Sequence, residues 1–123
     1  MRALILVVER NPTVQQLERY LLEQAGFGVE FAADGIVALA RARELKPTIV
    51  ITEILVPKLD GLSLCRALKG DPLTKSVIVV VLSHLHAEER AFEAGADAFL
   101  TKPIDEQNLL SIVGRLLNLD REY

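Results

Sequence analysis

The chain has 123 residues, half of them hydrophobic and a quarter charged, with a formal net charge of -3. This length and a mean hydropathy of +0.28 fit one compact domain and exclude a disordered chain. The charges are dispersed without a basic cluster, and the apolar run Ala3 to Val8 is too short for a signal peptide or a membrane span. We therefore expect one cytoplasmic domain over residues 1–123 that binds neither nucleic acid nor membrane.

The first half of the chain predicts two strands that each precede a helix. An apolar run predicts a strand over Leu4–Val8, and Asn11-Pro12 is a typical helix start for a helix that runs to about Ala25. A strand over Val29–Ala32 and a helix from Asp34-Gly35 to Lys46 follow. The expected core-facing residues are Val14, Leu17, Leu21 and Gln24 or Ala25 in the first helix, and Ile36, Leu39, Ala40 and Ala42 or Arg43 in the second.

The second half repeats this alternation three times. The predicted strands cover residues 48–53, Val77–Leu82 and Ala98–Thr101. The predicted helices run from Asp60-Gly61 to Gly70, from His86 to Ala94, and onward from Pro103-Ile104-Asp105, with Asp105 as a cap. The expected buried residues are Leu64, Cys65 and Leu68, then Ala87, Ala91, Phe92 and Ala94, then Leu109, Ile112, Val113, Leu116 and Leu117. Leu110 lies off the last stripe, which favours exposure.

Five strands alternating with five helices predict a parallel sheet with helices on both faces, a doubly wound α/β fold. In such sheets, ligands and chemistry collect at the carboxyl ends of the strands. The residues that this arrangement brings to one edge are Glu9, Arg10, Glu53, Ser83 and Lys102. A carboxylate at the end of an apolar strand, as at Glu53, indicates a site rather than a core residue.

Three other residue patterns favour structural roles. Cys65 is the single cysteine and lies in an apolar helical pattern, which favours a buried thiol over a reactive one. His84 and His86 are two residues apart without a third ligand nearby in sequence, so they are expected to be loop residues rather than a metal site. Asp60-Gly61 is typical of turn and cap chemistry.

The order of several motifs resembles the receiver domain of two-component response regulators over essentially the whole chain. The motifs are Ile5-Leu6-Val7-Val8, Pro47 with the strand to position 53, Pro57, Asp60-Gly61, Gly95-Ala96-Asp97 and Thr101-Lys102-Pro103. The resemblance implies a flavodoxin-like (βα)5 sheet of strand order 2-1-3-4-5.

Receiver domains catalyse their own phosphorylation on an aspartate, and the resemblance assigns that position to residue 53. It also assigns metal ligation to an acidic pair at 9 and 10 with the carbonyl of 55, phosphoryl contacts to 83 and 102, and a switching aromatic to 99. Ser83, Phe99 and Lys102 match this pattern. Position 53 is Glu and the pair at 9 and 10 is Glu9-Arg10, so the acidic half of the pattern is altered.

This change in charge predicts loss of phosphotransfer and of the Mg²⁺ that the family uses. Glu9 and Glu53 are balanced by Arg10 and Lys102, and Arg10 is expected to fork onto one of the carboxylates. The extra methylene of Glu53 moves its carboxylate by roughly 1.5 Å, enough to impair a positioned reaction. In the alternative, Arg10 points into solvent, and Glu9, Glu53 and the carbonyl of Leu55 bind a divalent ion weakly.

These residues favour a pseudo-receiver: a signalling module that acts by protein–protein interaction through helix 4, strand 5 and helix 5, and that is not an enzyme. Self-association into a homodimer stays open. One alternative is a receiver locked in an active-like state, with Glu53 in place of a phosphorylated aspartate. Another is a small-molecule or cofactor-binding flavodoxin-like protein, although the chain lacks a G-x-G-x-x-G motif, a G-x-S-x-G motif and a hydroxyl-rich phosphate loop.

Overall fold

Five strands and five helices alternate in the structure, a computed structural model that describes residues 2–103 and 105–121. The strands are Leu4–Val8 (β1), Gly28–Ala32 (β2), Ile49–Glu53 (β3), Ile78–Ser83 (β4) and Ala98–Thr101 (β5). The helices are Pro12–Gln24 (α1), Gly35–Leu45 (α2), Gly61–Gly70 (α3), Glu88–Glu93 (α4) and Glu106–Arg121 (α5). No helix within these ranges is long and apolar enough to cross a membrane. Ile104, expected near the start of the last helix, lies outside the described residues.

The strands form one parallel sheet in the order β2-β1-β3-β4-β5. Strand β1 pairs with both β2 and β3, and β4 joins β3 to the edge strand β5. This is the predicted strand order, so the doubly wound flavodoxin-like fold is confirmed. Each predicted strand is present within one or two residues of its expected ends.

The two faces of the sheet carry separate apolar clusters, because successive strand residues point to opposite faces. The first cluster joins the sheet to α2, α3 and α4 and includes Leu6, Val8, Val50, Val79, Val81, Ala38, Leu64, Cys65, Leu68 and Ala91. The second joins the sheet to α1 and α5 and includes Ile5, Val7, Ile49, Ile51, Val80, Leu82, Leu22, Leu109 and Val113. Burial raises the pKa of the Cys65 thiol to about 11, which fits the inert thiol expected from the sequence.

Side-chain caps begin the helices where the sequence predicts them. The Asn11 side chain accepts hydrogen bonds from the backbone N–H groups of Thr13 and Val14 at the start of α1. Asp34 caps α2, Asp60 caps α3, and the Asp105 carboxylate accepts the N–H of Gln107 in α5. These caps satisfy donors that have no partner inside the helix.

The buried face of α1 differs from the expected stripe. Leu17 is 50% exposed, whereas Glu18, Leu21 and Leu22 are buried. The helix is therefore rotated by about one residue, because Leu22 packs into the second cluster beneath the sheet. This rotation brings a carboxylate into the interior.

Helix α2 also presents a different face, with Ile36 and Ala40 exposed and Ala38 and Ala42 fully buried. A close backbone approach explains this rotation. A Cβ atom on Gly35 would lie 1.9 Å from the carbonyl oxygen of Leu59, so the helix packs tightly against the β3–α3 loop and turns its small residues inward.

Two expectations near the carboxyl terminus also need correction. Phe92 is 46% exposed, since the six-residue α4 turns Ala91 toward the core and its aromatic ring outward. Leu110 was expected to be exposed but is half-buried, because α5 packs against the sheet over a face wide enough to include it.

Candidate functional site

Four polar residues meet at the carboxyl edge of the sheet. Glu9 directly follows β1, Glu53 ends β3, Ser83 ends β4 and Lys102 directly follows β5. The backbone N–H of Lys102 donates to the carbonyl of Ser83 at 2.9 Å, which extends the β4–β5 ladder to this edge. Parallel pairing therefore places the four residues side by side, as the sequence predicts.

Lys102 is the centre of an ion-pair cluster at this edge. Its Nζ donates to Oε1 of Glu53 and lies 3.4 Å from Oε1 of Glu9. The Lys102 side chain is 9% exposed, and the Glu53 side chain is 18% exposed. Because both carboxylates share one ammonium group away from water, removing any of the three charges would leave a partner poorly compensated.

Glu9 is held in place from the helix side as well. Its Oε2 accepts the backbone N–H of Asn11 at 3.1 Å, and its backbone carbonyl accepts the side-chain amide of Gln15. The start of α1 thus fixes the position of the Glu9 carboxylate relative to Lys102.

The structure does not contain the ion pair expected for Arg10. Arg10 is exposed, and its guanidinium forms no salt bridge within 4 Å among residues 2–103 and 105–121. Arg10 follows the buried Glu9 beyond the end of β1 and is exposed to solvent. Lys102 already contacts both carboxylates, which lowers the negative charge that would draw Arg10 inward.

Ser83 and Phe99 do not join the ion-pair cluster. Ser83 is buried, and its Oγ accepts the backbone N–H of Leu85 at 3.0 Å. Within the described part of the chain, this hydroxyl has no hydrogen bond to Glu53 or Lys102. Phe99 is half-buried and packs against the first apolar cluster. Both side chains therefore have local structural contacts.

The pocket does not fit the metal that the resemblance implies. Position 10 offers a guanidinium instead of a carboxylate, and the ammonium group of Lys102 already contacts Glu9 and Glu53. Mg²⁺ requires several oxygen ligands in octahedral geometry. His84 and His86 are exposed, and the described residues contain no group of three His, Cys, Asp or Glu side chains that could hold a metal ion.

A third carboxylate, Glu18, lies in the interior near this edge and was missed by the sequence analysis. Its residue exposure is 1%, and its Oε1 has no hydrogen-bond partner among the described residues. Burial and the nearby Glu9 raise the pKa of Glu18 to about 7, against the opposing effect of Lys102. Helical spacing gave no signal for Glu18, because positions 14, 17 and 21 with 24 or 25 form at least as good a stripe as 14, 18, 21 and 22.

The β4–α4 and β5–α5 loops form an open, mostly apolar cavity against α1. It has a volume of about 260 Å³ and is lined by Val14, Leu17, His84, Lys102 and Pro103. The aliphatic stem of Lys102 therefore passes between this cavity and the two carboxylates that its ammonium group contacts.

Residues 5–114 of the chain match the family described as response regulator receiver domain. A curated relative, the DNA-binding dual master transcriptional regulator RpaA of Synechocystis, is 35% identical over 116 residues, which is 92% of this chain and 48% of RpaA. The chain thus spans about half the length of that relative.

Solved structures agree with this match. A putative response regulator from Chloroflexus aurantiacus superposes with a TM-score of 0.91 at 32% identity, covering 96% of this chain and 99% of that one. The receiver domain of the sensor histidine kinase PA1611 from Pseudomonas aeruginosa, solved with a magnesium ion in its active-site cleft, gives a TM-score of 0.85 at 29% identity, covering 94% and 97%. The fold, the strand-edge residues and these matches together identify the chain as a member of the response regulator receiver family of two-component signal transduction.

Proposed function

We propose that this chain is a pseudo-receiver, a non-enzymatic signalling module that works by protein–protein interaction and does not undergo aspartyl phosphorylation. The observation that carries the proposal is the ion pair between Lys102 and Glu53, the residue at the acceptor position. The ion pair holds the Glu53 carboxylate at a position that the extra methylene shifts by roughly 1.5 Å from that of an aspartate, which impairs a positioned attack on phosphorus.

The smaller excess of negative charge in the pocket supports the same conclusion for Mg²⁺. Receiver pockets combine three carboxylates with one lysine, and the cation offsets the excess negative charge. Here Arg10 replaces one carboxylate and lies outside the pocket, which leaves Glu9 and Glu53 against Lys102. The magnesium ion described for the PA1611 receiver domain is therefore not expected in this chain.

The decisive experiment is intact-mass measurement after incubation with a small-molecule phosphodonor and Mg²⁺. We expect no phosphoryl mass on the natural chain and a gain of one phosphoryl group on the double variant R10D/E53D, which restores the family's acidic residues. A single R10D variant separates metal binding from acceptor geometry. Phosphorylation of the natural chain itself would overturn the proposal.

A second candidate, a receiver locked in an active-like state, is favoured by one observation: the Glu53 carboxylate reaches Lys102, a phosphoryl-contact position in the family. Against it, the Ser83 hydroxyl oxygen accepts the N–H of Leu85, so the hydroxyl does not follow Glu53. Backbone amide shifts of Ser83, Leu85 and Phe99 in Glu53→Gln test the locked state. Large changes at all three would favour it, whereas changes confined to Lys102 and Glu9 would favour a structural carboxylate.

We further propose that the partner surface lies on α4, β5 and α5. Helix α4 buries only the small side chains of Ala91 and its neighbours Ala87 and Ala94, and it leaves Phe92 46% exposed. A large apolar side chain in that position suits an interface anchor. Phe92→Ser should reduce binding to a cognate partner, or self-association in sedimentation equilibrium, whereas the exposed Leu73→Ser, located between α3 and β4, serves as the matched control.

A further inference from the structure

The buried carboxylate of Glu18 has no role in the proposed signalling function. It lies on the inner face of α1, three residues after Gln15, whose amide donates to the backbone carbonyl of Glu9. Val14 and Leu17, on either side of the same helical turn, line the cavity that Lys102 borders. Glu18 lies three residues after Gln15 and four after Val14, so its buried carboxylate is on the same face of α1, one helical turn from the residues that contact Glu9 and approach Lys102.

Two charged residues at the carboxyl edge of the sheet act on the Glu18 carboxyl: Glu9, which follows β1, disfavours its ionised form, and Lys102, in the β5–α5 loop, favours it. Glu53, at the end of β3, pairs with the same Lys102. The other charged or titratable groups on the elements that pack against α1 are His84, exposed in the β4–α4 loop, Glu30 of β2, paired with Arg41, and the exposed Glu106 and Arg115 of α5. On α1 itself, Arg19 pairs with Glu23 at the surface. Lys102 is therefore the cation that a deprotonated Glu18 would attract.

We infer that Glu18 is a buried proton-binding site that controls how Lys102 is shared between carboxylates. When Glu18 is protonated, its carboxyl group is neutral and does not attract Lys102, although its Oε1 has no hydrogen-bond partner among the described residues. The ammonium group of Lys102 then pairs with Glu53 and Glu9, as in the structure. When Glu18 loses the proton, a third negative charge faces the same ammonium group. Glu18 then competes with Glu53 for the ammonium group of Lys102. The ion pair between Lys102 and Glu53 weakens, and the Glu53 carboxylate is released toward solvent.

The pH range of this exchange follows from the environment. Burial and the charge of Glu9 both disfavour the ionised form, and together they raise the pKa of Glu18 to about 7. Glu18 therefore changes its charge near neutral pH, where carboxylates in water are already fully ionised. The inference concerns a group outside the acceptor position, so it stands or falls independently of the phosphorylation experiment.

The test is a nuclear magnetic resonance titration from pH 5 to pH 9 on the natural chain. We expect the side-chain carboxyl carbon of Glu18 to titrate with a midpoint near 7 and the ε-carbon and ζ-nitrogen signals of Lys102 to move with the same midpoint. Glu18→Gln, which keeps the shape but cannot ionise, should remove the Lys102 inflection. His84→Gln should leave it unchanged, because His84 is exposed and the ion pairs of Lys102 among the described residues are with Glu9 and Glu53.

Three results would overturn the inference. They are a Glu18 midpoint near 4.5, a Lys102 inflection that persists in Glu18→Gln, and a Lys102 inflection that disappears in His84→Gln. Glu18→Leu provides a second non-ionising variant that suits the apolar surroundings, and the carboxyl titration of the natural chain decides the first result without any variant.

Discussion

The two faces of the sheet are packed with similar side chains but differ in charge. The face covered by α3 has Leu64, Cys65 and Leu68 fully buried beneath the helix. The face covered by α1 has Leu22 in the equivalent role but also buries Glu18. An entirely apolar face has a stability that does not depend on pH, whereas a face with a buried carboxylate becomes less stable when that group ionises. The comparison shows that one sheet can combine a passive face, covered by α3, whose stability does not change with pH, with a responsive face, covered by α1, whose stability does.

The largest expected effect is on the passive face. Leu64→Ala removes a fully buried side chain and should lower the free energy of unfolding by about 3–4 kcal/mol through lost burial and the remaining cavity. The loss should be the same at pH 6 and pH 8 when measured by urea denaturation. A marked pH dependence of this loss would contradict the passive role of the α3 face, and the exposed Leu73→Ala should change little.

A smaller effect is expected at the edge where the two faces meet. Glu53→Ala leaves Lys102 with Glu9 as its remaining partner and should cost about 2–3 kcal/mol, less than for a fully buried pair because the Glu53 side chain is partly exposed. The measurement is the urea midpoint at pH 7. The surface pair of Lys58 and Asp34 supplies the control, since Lys58→Ala should cost under about 1 kcal/mol. Equal losses in the two variants would argue against a buried pair.

On the responsive face, replacing Glu18 by leucine should raise the free energy of unfolding rather than lower it. Below pH 4.5 Glu18 is neutral in both states; between pH 4.5 and about 7 the unfolded chain loses its proton first, so the folded state becomes progressively less stable as pH rises. Above pH 7 the penalty is complete, on the order of 3 kcal/mol. Glu18→Leu should therefore raise stability at pH 8 by about 1–3 kcal/mol relative to its effect at pH 5. Parallel stability curves for variant and natural chain would refute this.

The smallest effect concerns the caps of the two helices. Asp60→Ala at α3 and Asn11→Ala at α1 should each cost about 1 kcal/mol at pH 7. The backbone N–H of Ser63 lowers the pKa of Asp60 below its usual value, so its contribution is complete above pH 3.8 and is lost as pH falls through the lower folded value. Asn11 cannot ionise, so comparing denaturation at pH 7 with denaturation well below pH 3.8 should separate the two caps. If Asp60→Ala lowers the free energy of unfolding by the same amount at both pH values, the proposed contribution of the ionised Asp60 carboxylate is wrong.

The sequence predicts the sheet well because most of its strands are short apolar runs, rich in β-branched residues and bounded by turn or cap residues. Cap residues such as Asn11 and Asp60 likewise predict where helices begin, because a cap depends on local sequence alone. Helix rotation was harder to predict. In α2 the inward face depends on the close approach of Gly35 to Leu59, which are distant in sequence, so hydrophobicity alone pointed to Ile36.

At the site, the meeting of the strand-end residues was predicted, but the outward position of Arg10 and the burial of Glu18 were not. The meeting of Glu9, Glu53 and Lys102 follows from parallel strands that end at one edge. The outward position of Arg10 depends on competition between two cations for the same carboxylates, which a sequence does not rank. Glu18 was missed because a charged residue in a surface helix is normally solvated, and its burial results from the rotation of α1.

The contact between Gly61 and β3 has a consequence for redesign. A Cβ atom at position 61 would lie 2.0 Å from the carbonyl oxygen of Glu53, and the N–H of Gly61 donates to the carbonyl of Ile54. The start of α3 therefore holds the main chain of residue 53 without using its side chain. New chemistry can be installed at that position by exchanging the side chain alone, since the scaffold that presents it is built from backbone atoms.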